Sequence, residues 1–456
     1  MNNMEIIPTK ENIIETLYVD LLKRNKDLVR FYEFLLSKKS SKSFAIDGKW
    51  GSGKTIFVNQ LAMLINALNP ISIMDEETRD DVKTALSLSN DDSKNEYAIS
   101  VYYDAWKNDN DTDPILSLVY EISKQMAINF EISDTSLFFK KAGSIIDAFS
   151  GKNISTLIEL FKSDNPLSRF KEEKELEESI KDFFTEVLSE KGDRLVVIID
   201  ELDRCRPNYA VKLLERMKHY FNDDRITFVF SVNLEELQHI IKHHYGQDFD
   251  ASRYLDRFFN YRISMPPADK EAFYRKLGLE SNFVINQVSK KVIKLYQMEM
   301  RECLRFYEQI EIASRNLARS GSKYDFSFSE GKGKQILILY VLPLIIGLKI
   351  VNISLYNDFV DGKNSQPLVD MYTDADFKEQ LVEHLLSNNE SLDEEEGKTI
   401  VTVEDKLKEL YDAVFVKEYD NRIYQTVLGE YKFDKNSKKL LSSLDSMLSE
   451  YSNYDI

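Results

Sequence analysis

Ser43–Val58 reads SFAIDGKWGSGKTIFV, and the reading of this stretch decides the fold. Phe44, Ala45 and Ile46 form a short apolar run that predicts a strand, while Ile56, Val58, Leu61 and Ile65 recur at helical spacing. Between them Gly48–Thr55 fits G-x-x-x-x-G-K-[ST], in the strand–loop–helix setting that the motif requires. Glycines let backbone N–H groups turn inward around a phosphate without Cβ clashes. The following helix aims its positive N-terminal end at the same anion. Lys54 reaches the outer phosphates, and the Thr55 hydroxyl is a magnesium ligand. The expected nucleotide-contacting set is Gly48, Trp50, Gly51, Ser52, Gly53, Lys54, Thr55 and Ile56.

A second stretch carries the matching chemistry. Arg194–Glu201, RLVVIIDE, is an apolar, mostly β-branched run ending in two carboxylates. Unbroken apolar runs suit a parallel strand covered on both faces, and ligands of such sheets bind at the carboxyl ends of strands. Asp200 is the expected magnesium-site carboxylate, acting through a bound water, and Glu201 is placed to orient and deprotonate an attacking water. In the continuation LDRCRP, Asp203 and Arg204 either pair with each other or take a direct catalytic part. Cys205 reads as a packed thiol, since no histidine base lies nearby in sequence.

Further elements supply candidates. Tyr97–Trp106 predicts a strand, with Trp106 read as core packing in preference to a nucleotide contact, and Asp113-Pro114 predicts the start of a helix. Ile226–Asn233 is another apolar strand; Asn233 is either a γ-phosphate sensor holding the water or the N-cap of the helix from Leu234. Arg257, at an element end, is either an arginine finger reaching a neighbouring subunit's phosphate or part of a surface ion pair. Met298–Phe306 lies on a helix that could cover the nucleotide as a lid, with Arg301 as its phosphate sensor.

The whole chain bounds these readings. Its 456 residues imply two or three domains, and 43 % hydrophobic content is globular. A formal charge of −17 argues against nucleic acid as a bulk partner. Two cysteines make no disulfide framework and five scattered histidines no zinc spacing, so a reducing cytoplasm is the expected compartment. Met1–Asn12 does not read as a signal peptide. The longest apolar run, Ile336–Leu348, is shorter than the roughly 20 residues a membrane helix needs. It is interrupted by Pro343 and reads as a buried core helix, with no membrane partner expected. The charged run Lys171–Glu178 reads as a solvated helix face, and Asn388–Gly397 as a solvated acidic loop. The expected organisation is helices over 1–42, a core over 43–268 with an insertion at about 131–190, a helical lid over 269–319 and a helical region over 320–456.

GKWGSGKT at 48–55, YYDAW at 102–106, VVIIDELDRCRP at 196–207, FVFSVN at 228–233 and YLDRFF with SMPP at 254–267 together resemble the KAP family of P-loop NTPases, over about residues 12–310. The resemblance implies an α/β fold: a parallel-sheet P-loop NTPase core of the additional-strand type, with a helical insertion, a helical lid and a helical C-terminal region. It also implies ATP as the nucleotide and Mg2+ as its metal, since the residues themselves do not select adenine. Two departures stand out. Many relatives carry transmembrane helices between the two nucleotide motifs, and none reads out between Thr55 and Asp200; the family also commonly has Asp where this chain has Glu201. Exclusion of phage, known for bacterial relatives, is implied by the resemblance alone. The expected activity is an ATP-hydrolysing switch that acts on a protein partner or on self-assembly, with Arg257 in trans in a homo-oligomer. The alternatives are a nucleotide-gated scaffold with little turnover and, least supported by the Asp200-Glu201 pair, a small-molecule kinase.

Overall fold

A computed structural model describes residues 8–37, 42–88, 96–126, 184–185, 187–189, 191–220, 223–280, 283–318, 332–373, 381–394, 396–420 and 424–441. Most of the expected insertion, the Ser320–Gly333 linker apart from its last two residues, and the C-terminal tail lie outside these residues. The chain divides into two compact units, within Ile6–Asp269 and within Lys270–Ile456.

The first unit is built on a five-stranded, all-parallel sheet. Its strands are β1 (Ser43–Asp47), β2 (Ala98–Asp104), β3 (Arg194–Asp200), β4 (Ile226–Val232) and β5 (Tyr261–Ser264), in the order β2-β3-β4-β1-β5. The strand that ends in the glycine loop and the strand that ends in the acidic pair are therefore not neighbours, because β4 is inserted between them. This is the additional-strand arrangement.

Sequence alternation explains the layers. Along β3, Leu195, Val197 and Ile199 pack on one face, with α5 (Pro114–Gln125), α6 (Pro207–Tyr220), α7 (Leu234–Tyr245) and α8 (Ala251–Leu255). Val196 and Ile198 pack on the other, with α1 (Lys10–Val19), α2 (Asn25–Leu36), α3 (Lys54–Ala67) and α4 (Glu76–Ala85). Every residue of β3 and β4 is buried, which is why neither shows a polar face in sequence. Asp113 caps α5 by accepting from the Ile115 and Leu116 amides, with Pro114 in the first turn. Register lines up the carboxyl ends: Asp104 pairs with Asp200, and Asp200 with Ser231.

The second unit is mainly helical. Helices α9 (Lys270–Lys276), α10 (Val284–Leu295) and α11 (Met300–Ala318) precede the Ile336–Leu348 run, all of which is buried except Leu339. That run is not one regular helix: Leu337–Val341 is a π-turn before α12 (Leu342–Val351). Pro343 has no N–H to offer the Leu339 carbonyl, and a locally widened turn accommodates the lost bond. At Gly347 a Cβ would lie 2.4 Å from Val292 Cγ1, so glycine is what allows α10 and α12 to approach. The Asn388–Gly397 stretch is not merely solvated, because Glu390 pairs at 2.7 Å with Lys406, which is 3 % exposed. Among the described residues, no helix is long and apolar enough to cross a membrane.

Candidate functional site

The glycine loop leaves β1 at Asp47 and enters α3 at Lys54. Gly51 and Gly53 adopt φ of +81° and +86°, the left-handed region that side chains disfavour. Gly48 is needed for space instead, since a Cβ there would lie 2.9 Å from Ser52 Oγ and 3.0 Å from Met265 Cβ. Gly53 caps α3 without a side chain, and the first turn holds no acidic residue. The helix N-terminus thus keeps amide donors for an incoming anion. Two contacts from outside the motif brace the loop. Arg24, at the start of α2, donates from Nη1 to the Ser52 carbonyl at 2.9 Å, and Asp47 Oδ1 accepts from the Leu234 amide at 2.9 Å.

Lys54 is buried, and its Nζ donates to the loop carbonyls of Gly48 and Lys49, the latter at 3.1 Å. Burial lowers its pKa, opposed by the charges of Asp203, Asp200, Glu201 and Asp47. A cation held among its own loop's carbonyls and facing four carboxylates is poised to exchange those carbonyls for phosphate oxygens.

Asp200 is 1 % exposed at the end of β3. Tyr102 Oη donates to its Oδ2 and the Glu201 amide to its Oδ1, both at 3.0 Å. Burial raises its pKa, against the hydroxyls of Ser231, Thr55 and Tyr102 and the Glu201 amide, all of which favour the ionised form. The Thr55 hydroxyl beside a buried carboxylate is a set of hard oxygens that fits magnesium. Among the described residues no group of three or more His, Cys, Asp or Glu could hold a metal by itself.

Glu201 sits at φ +60°, a left-handed conformation unusual for a residue with a side chain. Burial and the adjoining Asp200 push its carboxyl up to about 7, opposed by Arg204 and Lys54. Asp203 and Arg204 do not pair with each other. Arg204 Nε meets Glu201 Oε2 at 2.6 Å, and Asp203 Oδ2 accepts from Trp50 Nε1 at 2.7 Å. The reason is local: Leu202–Arg204 is one 3₁₀ turn, in which positions three apart eclipse, so residue 204 returns over residue 201. Trp106 is not core packing either. It is 52 % exposed and, like Trp50, faces the Arg204 guanidinium. Ala105 takes the buried position at the end of β2, and the next residue turns outward.

Asn233 stands beside the glycine loop, because the Gly48 amide donates to the Val232 carbonyl at 3.2 Å. Asn233 caps α7, its Oδ1 accepting from the Glu235 and Glu236 amides at 3.2 and 3.5 Å. Arg257 is exposed in the turn after α8, where the ion pair is made by Arg262 and Asp256 at 2.7 Å. Arg301 is exposed on α11, in the second unit. Cys205 is buried, which pushes its thiol pKa up and leaves it a packing residue. Sequence reasoning missed Arg24, Asp47 and Tyr102. Tyr102 carried a signal, as a hydroxyl two positions before the end of an apolar strand, whereas nothing near Arg24 pointed to the loop.

The KAP family P-loop domain model matches residues 24–324, about two thirds of the chain. No curated protein matches it. Solved structures with similarity include two Aeropyrum pernix proteins, ORC2 in ADPNP-ADP complexes and ORC1 in complex with DNA. They are 11 % and 13 % identical with TM-scores of 0.33 and 0.34, each covering 94 % of both chains. C. elegans PCH-2 is 12 % identical over 76 % of this chain and 69 % of its own, with a TM-score of 0.20. Superpositions this loose carry no argument about the site. The family model spans both nucleotide motifs and every strand of the sheet, and the chain belongs to the KAP family of P-loop NTPases.

Proposed function

We propose that the chain is a magnesium-dependent ATP-binding and ATP-hydrolysing switch. What carries the reading is one convergence: Thr55 beside the buried Asp200 carboxylate, with Lys54 facing Asp200 and Glu201 across the end of β4, which lies between β1 and β3. In this reading the amides of Gly51–Ile56 and the Lys54 ammonium bind and orient the phosphates. Thr55 and Asp200 hold the metal, which when bound neutralises charge on the phosphates. Glu201 orients the attacking water and takes its proton. Asn233 spends its carbonyl oxygen on the α7 cap, so only its amide N–H groups are left to offer a phosphate or water.

Arg257 as a trans arginine in a homo-oligomer, and Arg301 on a helical lid over 269–319, are the proposed routes by which nucleotide state reaches a neighbour or partner protein. ATP moves such an equilibrium only through contacts that differ between the two states. Two free, buried cysteines are consistent with a cytoplasmic setting. Phage exclusion is one process such a switch would serve, and that suggestion rests on family resemblance alone. The alternative reading is a nucleotide-gated scaffold with little intrinsic turnover, whose output is assembly.

Phosphate release from Mg-ATP at several protein concentrations, with EDTA as control, tests the proposal. Turnover that needs magnesium is expected, and turnover per molecule that rises with protein concentration supports Arg257 acting in trans. Nucleotide binding without turnover at any concentration favours the scaffold. Absence of binding contradicts both.

A further inference from the structure

The chain has two tryptophans, and both face one cation. The Arg204 guanidinium lies 5.6 Å from the Trp50 ring centre and 5.4 Å from that of Trp106, within the range at which an indole face attracts a cation. The rings come from separate segments, Trp50 from the glycine loop and Trp106 from the turn after β2. Trp50 is fixed in turn by its Nε1–H bond to Asp203. Each ring stays about half exposed, at 45 % and 52 %, so burial alone does not account for their positions. The guanidinium Nε meets Glu201 at Oε2, 2.6 Å away. A planar fork held against two ring faces gives up rotamer freedom in advance, so it can fix a carboxylate's direction where a free lysine cannot.

We propose that Arg204, held by the Trp50 and Trp106 rings, is a positioning residue for hydrolysis: it anchors Glu201 by one carboxylate oxygen and leaves the other to accept the proton of the attacking water. The inference rests on Glu201 being the water-activating group. Because Trp50 belongs to the phosphate-binding loop, the same contact ties the aim of Glu201 to the shape of that loop.

The test compares kcat and Mg-ATP affinity in the parent, Glu201→Gln, Arg204→Met, Trp106→Leu, Trp106→Phe and the double variant Glu201→Gln/Arg204→Met. Arg204→Met should lower kcat by about 10- to 100-fold, the scale expected for a misaimed catalytic group, with affinity held within about twofold. Trp106→Leu should lose kcat in the same way, and Trp106→Phe, which keeps a ring face, should recover most of the loss. In the Glu201→Gln background the Arg204→Met change should cost nothing more, since the two residues act as one unit. A readout independent of turnover comes from single-tryptophan proteins made by Trp50→Phe or Trp106→Phe. Arg204→Met should red-shift emission in each as the remaining indole is released to water. Unchanged or increased kcat in Arg204→Met and Trp106→Leu, additive losses in the double variant, or unmoved emission would overturn the inference. Normal turnover by Glu201→Gln sinks the reading of Glu201 and the inference with it. Loss in Glu201→Gln beside normal Arg204→Met sinks the inference alone.

Discussion

The glycine loop and the turn after β3 lie side by side but are specified differently. Gly48–Thr55 is shaped mostly by what its own residues dictate: positive φ at Gly51 and Gly53, a bare helix start and a lysine folded back on its own carbonyls. In Glu201–Arg204 every charged side chain takes its partner from geometry that linear spacing does not announce. Arg204 turns back to Glu201 through a 3₁₀ turn, and Asp203 reaches Trp50 across 153 positions. A motif reports backbone shape well, and it reports charge pairing poorly.

Perturbing either side sharpens the contrast. The largest effect belongs to the loop. Lys54→Ala should cost about 2–5 kcal/mol of Mg-ATP binding, roughly 30- to 4,000-fold, while circular dichroism shows an intact fold. Calorimetry that finds near-parent affinity would remove Lys54 from the phosphate site. Tyr102→Phe strips a donor from the buried Asp200 carboxylate. Denaturant midpoints should report a loss of about 1.5–3 kcal/mol, the range for hydrogen bonds to charged groups. An unchanged midpoint would mean that Tyr102 does not hold Asp200 in solution. Gly53→Ala forces a side chain into φ +86° and should cost about 1–2 kcal/mol. Nucleotide affinity should fall with it, because the loop itself is deformed. Asp47→Ala is the mildest, removing one bond to the Leu234 amide for about 0.5–1.5 kcal/mol with affinity nearly kept.

Much of the fold could be read in the chain because its strands are unbroken apolar runs and its loop is built from glycines. VVII between Arg194-Leu195 and Asp200 is short, β-branched and unbroken, which suits a strand buried on both faces, and Asp113-Pro114 announces a helix start. The identity of the acidic pair was equally plain, because Asp200 ends that strand. What could not be read depends on tertiary encounters. Trp106 reads as core by composition, yet it follows a buried Ala105 and turns to a cation contributed about a hundred positions later. Arg24 precedes an amphipathic helix and offers no local reason to reach Ser52. The π-turn before Pro343 was hidden because apolar periodicity does not record hydrogen-bond phase.

The central claim is that Glu201 activates water at a phosphate site held by Lys54, Thr55 and Asp200, and one comparison tests it most directly. Single-turnover hydrolysis of Mg-ATP is measured for the parent and Glu201→Gln at nucleotide concentrations that saturate both. The account predicts near-equal affinities and a rate lower by on the order of 10²-fold or more in the glutamine protein. Equal rates at equal saturation would contradict it and pass the role of base to another group.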